Sequence, residues 1–191
     1  MTLIDAERVR LRARLLAALN EDERLRRAAD LLSSALAHGG KVLAFGNGGS
    51  ATQSSHFAAE LVNKFLFRRP ALPALALSAD VACLTSIAND EEFRVVFSRQ
   101  VEAFGRPGDV ALGLTTSGAS ANVLLGLARA RELGLATIAL CGRRDRALGD
   151  LAVDVVVAVD SDETPAIQES HLFALHVLAE TVESKLFGGN P

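Results

Sequence analysis

The chain has 191 residues, of which 49% are hydrophobic, and its formal net charge is −3 at pH 7. This length and apolar content suit one domain with a sizeable core and are too small for two full-sized domains. Because the net charge is slightly negative, the protein has no overall positive field that would attract nucleic acid or an anionic membrane. We therefore expect a single domain over residues 1–191 that holds any anionic ligand by local groups.

The N-terminus and the cysteines indicate a cytoplasmic protein. The chain opens with residues 1–5 and meets charged residues at once, so we expect no secretory signal. No apolar run reaches the roughly 18 residues of a membrane span. Cys83 and Cys141 lie in apolar surroundings without CxxC spacing, which favours reduced core thiols over a disulfide or metal role.

Residues 5–38 are predicted to form two helices that meet near Asn20, because leucines recur at steps of three and four between charged residues. Acidic residues interrupt the arginines of the first helix, which favours a solvated or subunit-facing surface over a lipid-binding one. We expect the N-terminal extension, residues 1–40, to associate with a partner subunit that covers its apolar stripe.

After this extension, short apolar runs alternate with stretches of helical periodicity. The runs predicted as strands are 41–45, 72–77, 109–115, 136–141 and 153–159. Apolar runs separated by helices indicate a doubly wound α/β fold, a five-stranded parallel sheet flanked by helices, and we predict the strand order 2-1-3-4-5. Ligands bind such sheets where the winding switches, which is where the loops after the first and third strands meet.

A glycine-rich run, Gly46–Ser50, follows the first predicted strand and opens a helix. Backbone N–H groups at a helix N-terminus hold phosphate well, so this loop predicts a phosphate cradle. His56 and Glu60 follow on the same helix, four residues apart and therefore on one face. Gln53 and Lys64 are predicted to continue that row. The pair can transfer protons or bind metal, although a structural hydrogen-bonded pair has the same spacing.

The loop after the third predicted strand, residues 115–120, is dense in hydroxyl groups and leads into a helix predicted over 121–133. Hydroxyls and backbone N–H groups together can bind several phosphate oxygens without a cation. N-capping by Ser120 alone explains part of the pattern. The sequence has neither the GxxxxGK(S/T) pattern nor the GxGxxG pattern of nucleotide-binding loops, so it does not favour nucleotide triphosphates or dinucleotides as ligands.

The last helix is predicted over 164–186, with Thr164 as its N-cap and Pro165 at its first position. Gln168 and His176 lie about two turns apart on roughly one side, whereas His171 is interpreted as a core residue. Together with the earlier His and Glu, these side chains could bind Zn²⁺, or they could move protons directly in a sugar isomerisation.

Four separated blocks of this sequence resemble the phosphoheptose isomerases, sedoheptulose 7-phosphate isomerases of the sugar isomerase (SIS) fold. The blocks are Gly46–Ser50 together with His56–Glu60, Ala88–Asp90, Thr115–Asn122 and Thr164–His171. They occur in the family's order, and the resemblance covers nearly the whole chain. Lys64 stands where arginine is frequent in the family, which bears on substrate affinity more than on reaction type.

The resemblance implies an aldose–ketose isomerisation that gives D-glycero-D-manno-heptose 7-phosphate, an early step of heptose biosynthesis, in a cytoplasmic homotetramer with sites shared between subunits. It implies that Glu60 is the base and His176 the acid. The implied zinc ligands are His56, Glu60, Gln168 and His176. The implied substrate-binding residues are Asn47, Gly48, Gly49, Ser50, Glu60, Asn89, Asp90, Thr115, Thr116, Ser117, Ser120, Thr164 and Gln168.

Two alternative functions stay open from the sequence. One is a non-catalytic regulator with the same loops that binds the replication initiator protein, and the other is an isomerase of a different sugar phosphate. The regulator resembles the same family but lacks the Glu and the second His, so the presence of both Glu60 and His176 favours the enzyme.

Overall fold

The computed structural model describes residues 5–143 and 146–188. Residues 1–4, on which the expected absence of a secretory signal partly rests, lie outside the described residues. Within them, the strands are β1 (Val42–Gly46), β2 (Ala74–Ala76), β3 (Val110–Thr115), β4 (Ala136–Cys141) and β5 (Val155–Ala158). The helices are α1 (Ala6–Asn20), α2 (Glu23–Ala37), α3 (Gly49–Val62), α4 (Val81–Asp90), α5 (Val96–Phe104), α6 (Ala121–Glu132), α7 (Arg146–Asp150) and α8 (Thr164–Phe187).

The strands form one parallel sheet in the order β2-β1-β3-β4-β5, which confirms the predicted doubly wound fold and strand order. β1 pairs with β3 on one side and with β2 on the other, so the winding switches beside β1. The loops after β1 and β3 therefore leave the same edge of the sheet side by side, as predicted.

The core has two layers because neighbouring strand residues point to opposite faces of the sheet. Val42 and Ala44 of β1 pack with α1, α2, α3 and α8 on one face. Leu43 and Phe45 pack with α5 and α6 on the other. This arrangement places α3 and α8, the two helices with the predicted site residues, together on the first face.

Several predicted boundaries were too wide or displaced by one residue. The run 72–77 contains a strand of only three residues, and the run 153–159 one of four. Glu163, not Thr164, is the N-cap of α8, so Thr164 is the first helical residue and Pro165 the second. Neither cysteine forms a disulfide, but only Cys141 is fully buried, so the placement of Cys83 in the core was partly wrong.

In the described part of the chain, no helix is both long and apolar enough to cross a lipid bilayer. The longest helix, α8, has buried faces toward the sheet, α2 and α3, and this packing explains its apolar content.

Candidate active site

Two helices bring together the side chains that the sequence predicted as a proton-transferring or metal-binding group. His56 Nε2 lies 3.0 Å from Glu60 Oε1 on α3, and His176 Nε2 of α8 lies 3.6 Å from the same oxygen. The two imidazole Nε2 atoms are 3.0 Å apart. Ligand atoms of all three residues lie within 4.8 Å of one another, so we call these residues the His-Glu-His cluster.

Glu60 is the most protected member of the His-Glu-His cluster. Its side chain is 12% exposed, whereas those of His56 and His176 are 46% and 39% exposed. Burial raises the pKa of the Glu60 carboxyl above its ordinary value, although the two histidines oppose the shift. Its Oε2 atom is buried and has no hydrogen-bond partner among the described residues, which is unusual for a buried carboxylate oxygen.

An aromatic ring covers His176 from the segment that follows α3. The Phe65 ring is stacked on the His176 imidazole, with centroids 5.5 Å apart and planes at 29°. The same segment is tied to α8 by Glu183, which accepts hydrogen bonds from the backbone N–H groups of Phe65 and Leu66 at 2.6 and 2.8 Å. Sequence reasoning did not identify Phe65 or Glu183, because neither belongs to a motif with a chemical signature.

The glycine-rich loop after β1 turns sharply into α3. Gly48 has φ of 54°, in the left-handed region that glycine adopts without strain. The N–H of Ser50 donates to the carbonyl of Asn47, and that of Ala51 to the carbonyl of Gly48, each at 3.0 Å. These two N–H groups therefore form hydrogen bonds within the turn and do not point outward. The loop has fewer free N–H groups for a phosphate than the sequence predicted.

The loops after β1 and β3 are joined by a reciprocal amide pair. Asn47 Nδ2 donates to Asn122 Oδ1, and Asn122 Nδ2 donates to Asn47 Oδ1, both at 2.8 Å. Asn122 is buried near the start of α6. The pair fixes the two loops beside each other, so they can contact one ligand.

The hydroxyl loop forms a small network of its own. Thr115 Oγ1 lies 3.0 Å from Ser120 Oγ and 3.4 Å from Ser117 Oγ. Ser120 is the N-cap of α6 by position, but its side chain makes no capping hydrogen bond. Capping therefore does not account for this hydroxyl. Beside the network, Thr116, Ser117, Asp162 and Thr164 line a cleft of about 160 Å³.

Gln168 of α8 reaches the N-terminal end of α3. A Cβ at Gly49 would lie 2.3 Å from Gln168 Nε2, so the amide rests directly on this glycine. Gln53 of α3 donates through Nε2 to the backbone carbonyl of Gln168 at 2.6 Å. Gln168 thus joins the same two helices as the His-Glu-His cluster, and its role as a fourth metal ligand stays a prediction.

Three predicted site residues lie apart from this cluster. The predicted row through Lys64 is wrong, because α3 ends at Val62 and Lys64 lies exposed beyond it. Asn89 Nδ2 donates to Asp90 Oδ1 at the exposed end of α4, a helix that packs against α5. Among the contacts of the described residues, none joins Asn89 or Asp90 to the His-Glu-His cluster, so their substrate contacts stay predictions.

Comparison with known proteins agrees with this geometry. The family model of the SIS domain matches residues 9–142. The chain is 48% identical over 159 residues to a phosphoheptose isomerase of Geotalea daltonii. The matched region covers 83% of this chain and 82% of the relative.

Solved structures give the same result. The phosphoheptose isomerase GmhA of Neisseria gonorrhoeae is 39% identical, with a TM-score of 0.85 and 94% of each chain covered. A phosphoheptose isomerase of Francisella tularensis is 35% identical, with a TM-score of 0.88, covering 96% of this chain and all of the other.

The fold and the matched model define the class of the protein as that of sugar isomerase domains. The chain belongs to the SIS domain family and, within it, to the phosphoheptose isomerase family.

Proposed function

We propose that this chain is an aldose–ketose isomerase that converts sedoheptulose 7-phosphate to D-glycero-D-manno-heptose 7-phosphate. The observation that carries the proposal is the contact between Glu60 of α3 and His176 of α8, which brings a carboxylate and an imidazole from two helices together. The names of the relatives at 35–48% identity support the reaction and its heptose phosphate substrate.

Glu60 is assigned as the base and His176 as the acid. In an isomerisation, a base takes the proton from the carbon next to the carbonyl, and an acid donates a proton to the developing enediolate oxygen. Glu60, now a carboxylic acid, then returns its proton to the former carbonyl carbon. The hydroxyl group on the first carbon gives its proton back to His176 and becomes the aldehyde, so both groups return to their starting state. The raised pKa of Glu60 supports this role, because a carboxylate with a higher pKa is a stronger base near neutral pH.

The loops after β1 and β3 are assigned to the substrate's phosphate and hydroxyl groups. The residues of these loops are Asn47, Gly48, Gly49, Ser50, Thr115, Thr116, Ser117 and Ser120. The hydroxyl network around Thr115 supports this role, since hydroxyl groups bind phosphate without a cation. Thr164 and Gln168 extend the same surface from α8, and we keep Asn89 and Asp90 as further substrate contacts.

Zinc is proposed as the metal, held by His56, Glu60 and His176 with Gln168 as a fourth ligand. The convergence of two imidazole nitrogens on one carboxylate fits the ligand types that Zn²⁺ prefers. The unpartnered Oε2 of Glu60 supports the fit, because a buried carboxylate oxygen rarely lacks a partner. When bound, zinc acts as a Lewis acid that polarises a carbonyl oxygen.

We also propose a cytoplasmic homotetramer in which neighbouring subunits share the sites. The half-exposed Val9 of α1 supports association, although Leu15 and Leu19 of the same helix are buried in this chain's own core. A shared site also gives Asn89 and Asp90 a route to the substrate of another subunit, because they lie at the exposed end of α4.

The test is turnover of sedoheptulose 7-phosphate by the purified protein, in a panel with other ketose phosphates. We expect sedoheptulose 7-phosphate to be the best substrate. Glu60→Gln and His176→Asn should each lower kcat by roughly 10²- to 10⁴-fold, because each removes a proton carrier. Circular dichroism should show an unchanged fold.

Matched control variants change the same residue types on exposed surfaces. Glu132→Gln lies at the end of α6 and His38→Asn at the end of α2, and both should keep wild-type kcat. Wild-type turnover in both site variants would reject the assigned acid and base. A better turnover of another ketose phosphate would instead move the proposal to that substrate.

A further inference from the structure

A buried ion pair lies behind the His-Glu-His cluster and joins α8 to the segment after α3. Arg69 Nε lies 3.0 Å from Glu183 Oε1, and both side chains are only 1% exposed. Burial would raise the pKa of Glu183, but hydrogen bonds from Phe65 and Leu66 and the charge of Arg69 outweigh it and lower that pKa. Glu183 is therefore held as a carboxylate in the interior.

The other nitrogens of Arg69 bind the C-terminal end of α3. Nη2 donates to the backbone carbonyl of Glu60 at 2.7 Å, and Nη1 donates to that of Leu61 at 2.6 Å. The last carbonyls of a helix lack partners within the helix, so an external donor defines where they lie. One guanidinium thus links the backbone of Glu60 to α8 through Glu183.

Glu183 also fixes the aromatic cover of His176. Its two oxygens accept the N–H groups of Phe65 and Leu66, which places the Phe65 ring in its stacked position on the imidazole. The ion pair therefore fixes two groups of the site. One is the backbone of Glu60 on α3, and the other is the Phe65 ring, which packs on His176 of α8.

We propose that Arg69 and Glu183 are positioning residues for the reaction, setting the separation of Glu60 and His176 through the Glu60 carbonyl and the Phe65 ring. The inference rests on the proposed function of these two groups. Neither Arg69 nor Glu183 touches substrate in this arrangement, because both side chains are buried behind the cluster.

A role in positioning Glu60 and His176 explains the buried ion pair of Arg69 and Glu183 better than a role in stability does. Replacing a buried ion pair by apolar residues often leaves stability unchanged, so such a pair is weak evidence for a stabilising role. A displacement of about 1 Å in a reacting group can cost roughly 10²-fold in rate. The guanidinium of Arg69 donates to the backbone carbonyl of Glu60, so its main effect is on the position of the base in the reaction.

The test uses Glu183→Gln and Arg69→Lys in the full-length protein. Glutamine keeps one acceptor oxygen, and lysine keeps the charge but loses the fork that reaches two carbonyls. We expect kcat to fall roughly 10- to 100-fold while KM changes by less than about threefold. Hydrogen exchange measured by mass spectrometry should show faster exchange of the peptide that contains residues 63–70.

Asp109→Asn is a closely matched control for Glu183→Gln. Asp109 is also buried, accepts the N–H groups of Lys41 and Arg106 at 2.9 and 2.8 Å, and pairs with the Lys41 ammonium. It precedes β3, and its partners Lys41 and Arg106 lie outside α3, α8 and the segment 63–70. Asp109→Asn should lower the melting temperature comparably and leave kcat unchanged. A similar kcat loss in Asp109→Asn, or wild-type kcat in both Glu183→Gln and Arg69→Lys, would overturn the proposal.

The failure of this proposal can be distinguished from a failure of the proposed function. If Glu60→Gln and His176→Asn abolish turnover while Arg69→Lys and Glu183→Gln keep wild-type kcat, only the positioning role is overturned. If Glu60→Gln and His176→Asn keep wild-type turnover, the acid and base assignment is overturned and the positioning role with it. Should Arg69→Lys fail to fold, Glu183→Gln and Phe65→Leu carry the test, since Phe65→Leu removes only the ring that stacks on His176.

Discussion

His171 illustrates at the residue scale how position separates histidines with different roles. It lies on α8 only five residues from His176, yet it is 1% exposed and faces the core, as predicted from its apolar neighbours. Burial lowers the pKa of His171 from 6.5 to about 4, although the nearby backbone of Cys141 opposes the shift. The folded protein therefore holds this imidazole neutral.

We predict that His171 makes the protein less stable in mild acid. Between pH 6.5 and about 4 the unfolded chain binds a proton at this residue and the folded chain does not, so stability falls as pH falls through that window. The loss is about 1.4 kcal/mol per pH unit. His171→Leu should reduce the stability difference between about pH 7 and about pH 5 by roughly 2 kcal/mol, measured by urea denaturation at one protein concentration. An unchanged difference would contradict the assignment.

At the scale of elements, the site depends on the crossing of α3 and α8. The helices touch at their N-terminal halves through Gly49 and Gln168, and at the His-Glu-His cluster further along. Gly49 permits the first contact because it has no side chain. The spacing along α3 places this contact about three turns before Glu60, so the two helices are aligned at both ends of the site.

We predict that Gly49→Ala disturbs activity through Gln168. The new Cβ would lie 2.3 Å from Gln168 Nε2, so the amide has to move, but it is the flexible end of a side chain. We expect kcat/KM to fall about tenfold, since a displaced site group loses its contact with substrate or metal. Steady-state kinetics checks this value.

The double variant shows whether the effect passes through this contact. In a Gln168→Ala background, Gly49→Ala should have little further effect, because the atom that it displaces is absent. Independent effects of the two substitutions would show that the glycine acts by another route.

At the scale of the whole molecule, much of the architecture follows from the sequence. Apolar runs without alternation, separated by helices, predicted the parallel sheet, and right-handed crossovers predicted its doubly wound arrangement. The strand order 2-1-3-4-5, predicted with it, is confirmed. The extent of the short edge strand β2 was the least predictable, because Pro73 and Leu77 still hydrogen-bond to β1 although the strand itself spans only Ala74–Ala76.

Site residues could be predicted from the sequence only where two of them lie close in the chain at a spacing typical of a catalytic or metal-binding pair. His56 and Glu60 are one turn apart, so their shared face could be deduced from the sequence. Arg69 and Glu183 could not be paired, because they are 114 residues apart and no motif links them. The position of Lys64 was wrong for a different reason, since Asn63, the C-cap that ends α3 at Val62, was not used as a stop signal.

A bound metal should stabilise the whole molecule. The proposed ligands come from α3 and α8, so the site exists only in the folded chain and zinc binding adds to folding stability. Zinc at roughly 100 times its Kd should raise the stability of metal-free protein by about 2.7 kcal/mol, seen as a higher Tm. His56→Ala should abolish the shift. An equal shift in His56→Ala would place the zinc elsewhere.

The separation of the paired histidines along the chain has a consequence for biosynthesis. His56 and His176 are 120 residues apart, and α8 is the last helix that the structure describes. A nascent chain leaving the ribosome therefore carries His56 and Glu60 without His176 for most of its synthesis. His176 arrives only after the five strands of the sheet have been translated, which makes catalytic competence a late event that coincides with closure of the first layer of the core.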